Sequence, residues 1–308
     1  MILTSAGRVM AGAPVVVIGD VMTDVVAHVD DPLALGSDTH ARVQTRQGGA
    51  GANVAHWLAH LAVPTVFVGR VGDDPFGREV VEVLRSAGVE PHVSVDPLRA
   101  TGTVVVLVGA DGERTMLPDA GANSTLTPDD LPLDLVAGAA WLHVSGYTLL
   151  NPGSRDAGLA ALAAAHDAGV GTSVDAASAA PLEALGGKEF LRMTDGVQLA
   201  FCTVDEAEVL AGTRDPVVGL ARLTATYRSV VLKLGRAGAR WASDEQVPDV
   251  AVPACAAVAE VVDTTGAGDA FAAAFLAARL SGRDVAPALD DACRTAATVV
   301  TRVGTRPL

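Results

Sequence analysis

Asp263-Thr264-Thr265-Gly266-Ala267-Gly268-Asp269 sets a glycine turn between two carboxylates, directly ahead of Ala270-Phe271-Ala272-Ala273-Ala274-Phe275-Leu276. Phe271 and Phe275 are four apart with Leu276 beside them, so the second stretch reads as a helix with one buried apolar face. The N–H groups of Gly266, Ala267 and Gly268 then stand at or just before the helix start. There they lack intrahelical acceptors, and the macrodipole adds partial positive charge. Such a turn binds anions, phosphate above all. A carboxylate at Asp269 repels an anion unless it has work there, and taking a proton from an attacking hydroxyl is such work. The plainer alternative is that Asp269 caps the helix.

A second glycine turn, Gly48-Gly49-Ala50-Gly51-Ala52-Asn53, opens another helix, with Val54, Trp57, Leu58 and Leu61 at helical spacing. It reads either as backbone that closes on a ligand, with Asn53 as a hydrogen-bonding side chain, or as a plain helix start. It fails the dinucleotide fingerprint, since from Gly49 the third glycine would fall at Val54. Gly187-Lys188 is no P-loop: Glu189 follows, and the upstream glycine would fall at Leu182. No Gly-x-Ser-x-Gly elbow supports an esterase. His56 and His60 are four apart, but Trp57 stands where a zinc protease needs Glu, so they read as ordinary helix histidines, at least one near the surface.

The elements that position these residues alternate strand and helix. Val15-Val16-Val17-Ile18 reads as a buried strand ending at Gly19-Asp20, with Asp24 able to reach over that edge. Thr65 to Val71 is a strand. Asp74 caps and Pro75 starts a helix whose apolar face carries Phe76, Val80, Val83, Leu84 and Ala87, and Gly88 ends it. Further strands are expected at Trp141–Val144 (ending at Ser145-Gly146), Gly171–Val174 (ending at Asp175), Val197–Phe201, Val230–Leu234 (ending at Gly235) and Val258–Val262. Helices are expected at Ser154–Gly169 and Asp205–Ala211. This order predicts an α/β fold: a doubly wound, mostly parallel sheet flanked by helices, with ligands at its carboxyl edge. Asp24, Ser145, Asp175, Glu206, Gly235 and Asp269 all fall at or just past strand ends.

Two stretches break the alternation. Val25 to Arg46 is β-prone, and Thr103–Val108 with Arg114–Leu117 reads as a hairpin turning at Ala110-Asp111-Gly112. Together, as segments 25–46 and 99–118, they would make a small β-sheet lid inserted in one domain spanning 1–308.

The 308 residues suffice for a large core, and no apolar run approaches a membrane span. Residues Met1 to Pro14 lack the pattern of a secretory signal. Cys202, Cys255 and Cys293 are few, odd in number and far apart, which suits a reducing cytoplasm and argues against disulfides or cysteine-held zinc. A net charge of −14 disfavours nucleic acid and anionic membranes as partners, while backbone N–H groups can still bind a small anion. Lys188 and Lys233 are the only lysines.

The first glycine turn, followed by Gly69-Arg70-Val71-Gly72-Asp73-Asp74-Pro75-Phe76-Gly77, and the Asp263–Asp269 run together resemble the two signatures of the ribokinase-like (PfkB) sugar-kinase family. The likeness runs from about Val15 to the C-terminus. The resemblance implies a ribokinase-like α/β body with a lid, moving the γ-phosphate of ATP to a hydroxymethyl group. It implies Asp269 as catalytic base, Gly266, Ala267 and Gly268 as anion hole, and Asp24, Gly49 and Asn53, with Ser145 at its strand end, as substrate-binding residues. Ala50 stands where ribokinases proper usually carry Lys. Thr203-Val204-Asp205-Glu206 resembles an Asn-x-x-Glu segment that places Mg²⁺ and phosphates through water, with Thr203 in place of Asn. Glu206 reads otherwise as an exposed first-turn carboxylate. Lys233, Gly235 and Gly238 resemble the strand and turn against the nucleotide, where Lys233 contacts phosphates or is simply solvated. The resemblance also implies a K⁺ site of Asp263 and Thr265 with Val299, Arg302 and Gly304, mostly through carbonyls. An Asx turn at Asp263 with no ion is the alternative. Asp175 is not followed by the Asn and Arg that the Asp-x-Asn-x-Arg pattern of ketodeoxygluconate and fructose-type relatives would imply, which argues against an acidic sugar.

The expected activity is therefore an ATP-dependent kinase of a small neutral sugar. A nucleoside kinase on the same scaffold is the first alternative, which an apolar pocket between lid and body would favour. A non-catalytic sugar-binding regulator is the second. The lid's edge strands suggest a homodimer through the lids.

Overall fold

The computed structural model describes residues 12–109, 114–253, 261–302 and 304–307. Among them thirteen strands occur: β1 (Val15–Ile18), β2 (Met22–His28), β3 (Arg42–Gly48), β4 (Thr65–Gly72), β5 (Val89–Asp96), β6 (Thr103–Val108), β7 (Arg114–Asp119), β8 (Trp141–Ser145), β9 (Thr172–Asp175), β10 (Leu199–Thr203), β11 (Ser229–Lys233), β12 (Ala239–Ser243) and β13 (Gln246–Val252). Nine form the main sheet in the order β13-β12-β11-β10-β9-β8-β1-β4-β5, parallel from β11 to β5 and antiparallel at β12 and β13. The chain is thus a doubly wound, mostly parallel sheet with helices on both faces.

Each strand serves two cores because successive side chains point to opposite faces. Val15 and Val17 pack with Trp57, Leu58, Phe271 and Phe275, under the helices Ala50–His60, Pro75–Ser86, Ala267–Leu280 and Val285–Val300. Val16 and Ile18 pack with Leu142, Val144, Leu149 and Phe190 under the helices of the other face. Burying each such side chain contributes roughly 1.5–3 kcal/mol, which explains the unbroken apolar run of β1.

The winding reverses beside β1, with β4 on one side and β8 on the other. A reversal of this kind opens a crevice at the carboxyl edge. Over it stands the second sheet, β3-β2-β6-β7, in which β2 and β6 are parallel and the outer pairs antiparallel. Its strands begin earlier and end later than the sequence indicates, at Met22 and Gly48 for the first pair and Asp119 for the second. The expected turn at Ala110-Asp111-Gly112 lies outside the described residues.

Several expectations need correction. β5 is an edge strand that the sequence hides: it carries Pro91, and only one side of its pairing is occupied, by β4. The expected strand Val258–Val262 falls largely outside the described residues, and Val262 is exposed coil. Phe76 is exposed rather than on the buried face with Val80 and Leu84. Asp74 does cap its helix, accepting from Gly77 N at 2.8 Å, and His60 is exposed.

Candidate active site

The first glycine turn is fastened to the sheet by Asp20, the residue just past β1. Its carboxylate accepts from Ala50 N (3.0 Å), Gly51 N (3.3 Å) and Ser145 Oγ (3.0 Å), joining the ends of β1 and β8 to the start of the helix Ala50–His60. The approach is close enough to demand glycine: a Cβ on Gly51 would lie 2.5 Å from the Cα of Gly19. Asn53, in the first turn of that helix, is buried. Gly49 is its N-cap, at φ 93°, and lies against the backbone of Asp20–Met22.

The second turn faces the first. Gly266 is the N-cap of the helix Ala267–Leu280, in the left-handed region at φ 76°. Asp269 does not cap this helix; its Oδ2 instead accepts from Asn53 Nδ2 at 2.8 Å. Asn53 Oδ1 accepts in turn from Thr305 Oγ1 at 2.9 Å, and Trp57 Nε1 holds the Thr305 carbonyl at 2.8 Å. A carboxylate 216 residues along the chain from its partner is thereby fixed in one orientation. Burial pushes the Asp269 pKa up to about 7; the Asn53 hydrogen bond pulls the other way, Asp175 and Asp20 add to the rise, and Lys233 opposes it. A carboxylate poised near neutrality is suited to accept a proton from a hydroxyl. Of the turn's donors, Ala267 N is drawn to the Thr264 carbonyl at 3.3 Å.

Lys233 closes the opposite side. Its Nζ pairs with Asp175 Oδ2 at 2.7 Å, and a Cβ on Gly268 would lie 3.3 Å from the same Nζ, so the cation stands beside the second glycine turn. Burial disfavours its charge, but Asp175 and Glu206 outweigh that and hold its pKa above the usual lysine value. Lys233 is therefore not a solvated surface residue. Glu206 is buried too, at 5% exposure, not the exposed first-turn carboxylate of the simpler reading. It forms a capping box with Thr203: Thr203 N donates to Glu206 Oε2 (2.8 Å) and Glu206 N to Thr203 Oγ1 (3.3 Å). Burial raises its pKa, against the pull of Lys233. Gly235 and Gly238, at φ 56° and 92°, turn β11 into β12, closed by Leu234 N on the Gly238 carbonyl (2.8 Å).

Asp24 lies on the face of β2 turned toward the body. With Val26, His28, Val106, Val108 and Met116 of the lid, it lines a cavity of about 170 Å³, whose other wall carries Asp263, Thr265, Gly304 and Thr305. Burial raises the Asp24 pKa to about 6, with Arg306 pulling it down. The Asp263 loop packs on the C-terminal segment through Val262 N and Asp263 N, both donating to the Val300 carbonyl (2.7 and 3.3 Å). Asp263 Oδ1 accepts from Thr265 N at 2.8 Å, an Asx turn. The Val299 carbonyl accepts from Arg302 N at 3.2 Å.

Reading the sequence missed Asp20 as the clamp of the first turn, Thr305 as the prop of Asn53, and Tyr147. The Tyr147 phenol, on a residue 38% exposed, is pushed up to about 12 by desolvation, with the Asp20, Asp269 and Asp175 carboxylates adding to the rise. Only Asp20 left a signal, as a polar residue at a strand's carboxyl end.

Comparison with known proteins follows the same lines. The profile of the pfkB family carbohydrate kinase matches residues 13–308. A fructokinase from Klebsiella pneumoniae is 36% identical over 274 residues, covering 85% of this chain and 82% of that protein. A ribokinase from Arabidopsis thaliana is 30% identical over 285 residues, covering 88% and 71%. Among solved structures, adenosine kinase from Sinorhizobium meliloti superposes with a TM-score of 0.88 at 28% identity, over 96% of both chains. Arabidopsis thaliana ribokinase complexed with ribose and ATP superposes with a TM-score of 0.81 at 27% identity, over 95% and 94%. With the family profile spanning nearly the whole chain, the conclusion is plain: it belongs to the pfkB family of carbohydrate kinases and is a phosphotransferase with an alcohol group as acceptor.

Proposed function

We propose that the protein transfers the γ-phosphoryl group of ATP to a primary hydroxyl of a small neutral sugar, with Asp269 as general base and the Gly266–Gly268 turn as anion hole. The observation that carries this is the Asn53–Asp269 hydrogen bond, which fixes a carboxylate of raised pKa beside the glycine turn and Lys233. The acceptor oxygen forms a bond to phosphorus as its proton passes to Asp269, and ADP leaves with the electrons of the broken P–O bond. The turn's N–H groups and Lys233 balance charge on the transferring group. A pure sugar-binding regulator has no use for such a base.

No cluster of three or more His, Cys, Asp or Glu side chains suited to a metal occurs among the described residues. Mg²⁺ would come in on the nucleotide phosphates and keep most of its waters; Glu206, with Thr203, would order them. Bound Mg²⁺ supplies positive charge to the phosphates. Gly49, Asn53, Asp24 and Ser145 would hold the acceptor. A nucleoside kinase is the second reading, favoured by the apolar lid wall of Val26, Val106, Val108 and Met116 and by the likeness to an adenosine kinase. ADP release from Mg-ATP, measured across neutral sugars and nucleosides, tests both. Turnover of a hexose or pentose supports the first, turnover of nucleosides alone supports the second, and neither would refute the activity.

Asp20→Asn puts an amide donor against N–H groups. It is expected to raise the acceptor KM roughly tenfold and to cost about 1–3 kcal/mol of stability, with the ATP KM little changed. Substrate-saturation curves and thermal melts check this.

The Asp263 loop, its contact with Val300 and the nearby Gly304 suit a K⁺ site built mainly from carbonyls, Val299 and Arg302 included. K⁺ would brace the peptide units ahead of Gly266. Replacing Na⁺ by K⁺ at constant ionic strength should raise kcat several-fold, and Asp263→Asn should blunt the response. Equal rates would remove the ion from the account and leave the loop held by the protein's own contacts.

Val43 and Leu117, 59% and 56% exposed on the lid face opposite Asp24, suit a homodimer through the lids. The scarcity of cysteine, with Cys202 and Cys293 buried, suits the cytoplasm.

A further inference from the structure

Four passages of chain join the body to the lid: Val21 between β1 and β2, Gly49 after β3, residues 97–102 between β5 and β6, and Ala120 after β7. They converge on one side chain. Asn123, in the short 3₁₀ turn Gly121–Thr125, accepts from Val21 N through Oδ1 at 2.9 Å. Its Nδ2 donates to the Val21 carbonyl at 2.7 Å and to the Ala120 carbonyl at 3.0 Å. The amide thus pairs with both polar groups of Val21, as a neighbouring strand would, in the gap between β1 and β2. Val21 is fully buried, so neither group can turn to water instead. The third passage meets the same turn: Ala122 N donates to the Ala100 carbonyl at 2.8 Å, and a Cβ on Gly102 would lie 2.2 Å from Asn123 Nδ2. Gly49, the remaining passage, packs on Val21, where its Cβ would lie 2.7 Å from Cα.

The turn that carries Asn123 is anchored to the body. Thr125 Oγ1 donates to Asp96 Oδ2 at 2.6 Å. Asp96 also accepts from Leu98 N and Arg99 N (2.9 and 3.0 Å) and pairs with Arg70 at 3.4 Å. On the other side of the clasp lies the acceptor end of the crevice. Thr23 N donates to the Gly102 carbonyl at 2.8 Å, and Asp24 comes next, lining the cavity under the lid. Asp20, the residue before Val21, clamps the first glycine turn. Val21 is therefore the point where the body-fixed and lid-borne parts of the acceptor site join, and Asn123 holds it there.

We infer that Asn123 is a positioning residue for phosphoryl transfer: without touching the acceptor, it fixes the root of β2 and so the place of the Asp24 carboxylate relative to the Asn53–Asp269 pair. The inference rests on the reading above in which Asp24 holds the acceptor, and it adds the residue through which the body sets that carboxylate. Phosphoryl transfer depends on placing the acceptor hydroxyl closely, so a small shift of its anchor is felt in the reaction. The position calls for an amide because one end must accept while the other donates. A carboxylate only accepts, and an alkyl side chain does neither.

The test is a double-variant cycle in the full-length enzyme, with Mg-ATP and the sugar that wild type phosphorylates fastest. Asn123→Ala should raise the KM for that sugar roughly tenfold, the scale of losing a hydrogen bond to a charged group, with little change in the KM for ATP. Asn123→Asp keeps the shape but sets a carboxylate against two carbonyls, and it should act alike. Gly102→Ala, whose added carbon displaces the amide, should follow, and these two variants carry the test if Asn123→Ala does not fold. Asp24→Asn alone should raise the same KM. Joined to any of the three, it should be no worse than Asp24→Asn by itself, because both changes act through one carboxylate. Thr194→Ala, which removes a buried hydrogen bond to the Tyr227 hydroxyl ahead of β10, gives the effect of lost stability alone: a lower Tm with unchanged KM. If the Asn123 variants behave as Thr194→Ala does, or if their KM effects multiply with that of Asp24→Asn, the inference is overturned while the kinase reading stands. A wild-type KM in Asp24→Asn would remove Asp24 from the acceptor site, so that part of the function reading fails and the inference with it.

Discussion

Asp269→Asn is expected to lower kcat by roughly 10²–10⁴-fold, the usual worth of a general base, while the fold and the KM for ATP persist. The amide can still meet Asn53 but cannot take the acceptor's proton. Stability distinguishes this from mere damage. The folded-state pKa of Asp269 lies above its ordinary value of 3.8, at about 7. Between those values the folded chain holds a proton that the unfolded chain has released, so stability falls as pH rises through that window. Above it, wild type carries the full cost of a buried carboxylate, and Asp269→Asn does not. The variant should therefore melt at the same or a higher temperature than wild type in mildly alkaline buffer. Near-wild-type turnover would reduce Asp269 to a structural residue.

Gly266→Ala should be nearly as severe, lowering kcat by roughly 10²–10³-fold, the scale of losing an oxyanion-hole donor. Two effects coincide at this position. The left-handed φ of 76° costs an alanine about 1–2 kcal/mol. In addition, its Cβ would lie 2.6 Å from Thr305 Cβ, so the turn or Thr305 must shift. Moving Thr305 frees Asn53, and moving Asn53 frees Asp269. Gly282→Ala separates the effects, because Gly282 has φ 87° and nothing within 4 Å of a Cβ. It should lower Tm comparably and leave kcat alone. Steady-state rates and melts of the two variants decide it; equal kcat in both would show that the Gly266 turn takes no part in the reaction.

What the sequence disclosed follows the range of the interactions. The two glycine turns, β1 and the Asp74-Pro75 helix start are local patterns, and each stands where the residues indicate. The lid was legible as two β-prone stretches, though not that β2 and β6 pair in parallel, because that register joins segments about 80 residues apart. β5 was hidden because an edge strand with a proline carries half the apolar signal of a central one. In the site, the glycines and Asp269 announce themselves by type, but their supports do not. Thr305 reaches Asn53 across 252 residues, and Lys233 meets Asp175 across 58. Nothing local distinguishes Thr305 from the other threonines near the C-terminus. The plain alternative for Glu206, an exposed first-turn carboxylate, fails because the residue is buried at the end of β10, which no local pattern records.

The central claim is that the Asp269 carboxylate, tuned to about neutrality by burial, accepts the acceptor's proton during phosphoryl transfer. It is tested most directly by the pH dependence of kcat/KM for the sugar at saturating Mg-ATP, in wild type and in Asp269→Asn. The base works ionised, so the wild-type rate should rise with pH and level off above an apparent pKa near 7. That rising limb should vanish in Asp269→Asn, leaving a low, flat profile. The γ-phosphate of ATP titrates in both enzymes alike, so only a limb that the substitution abolishes belongs to Asp269. A wild-type profile flat through neutrality, or the same limb in both enzymes, would contradict the account.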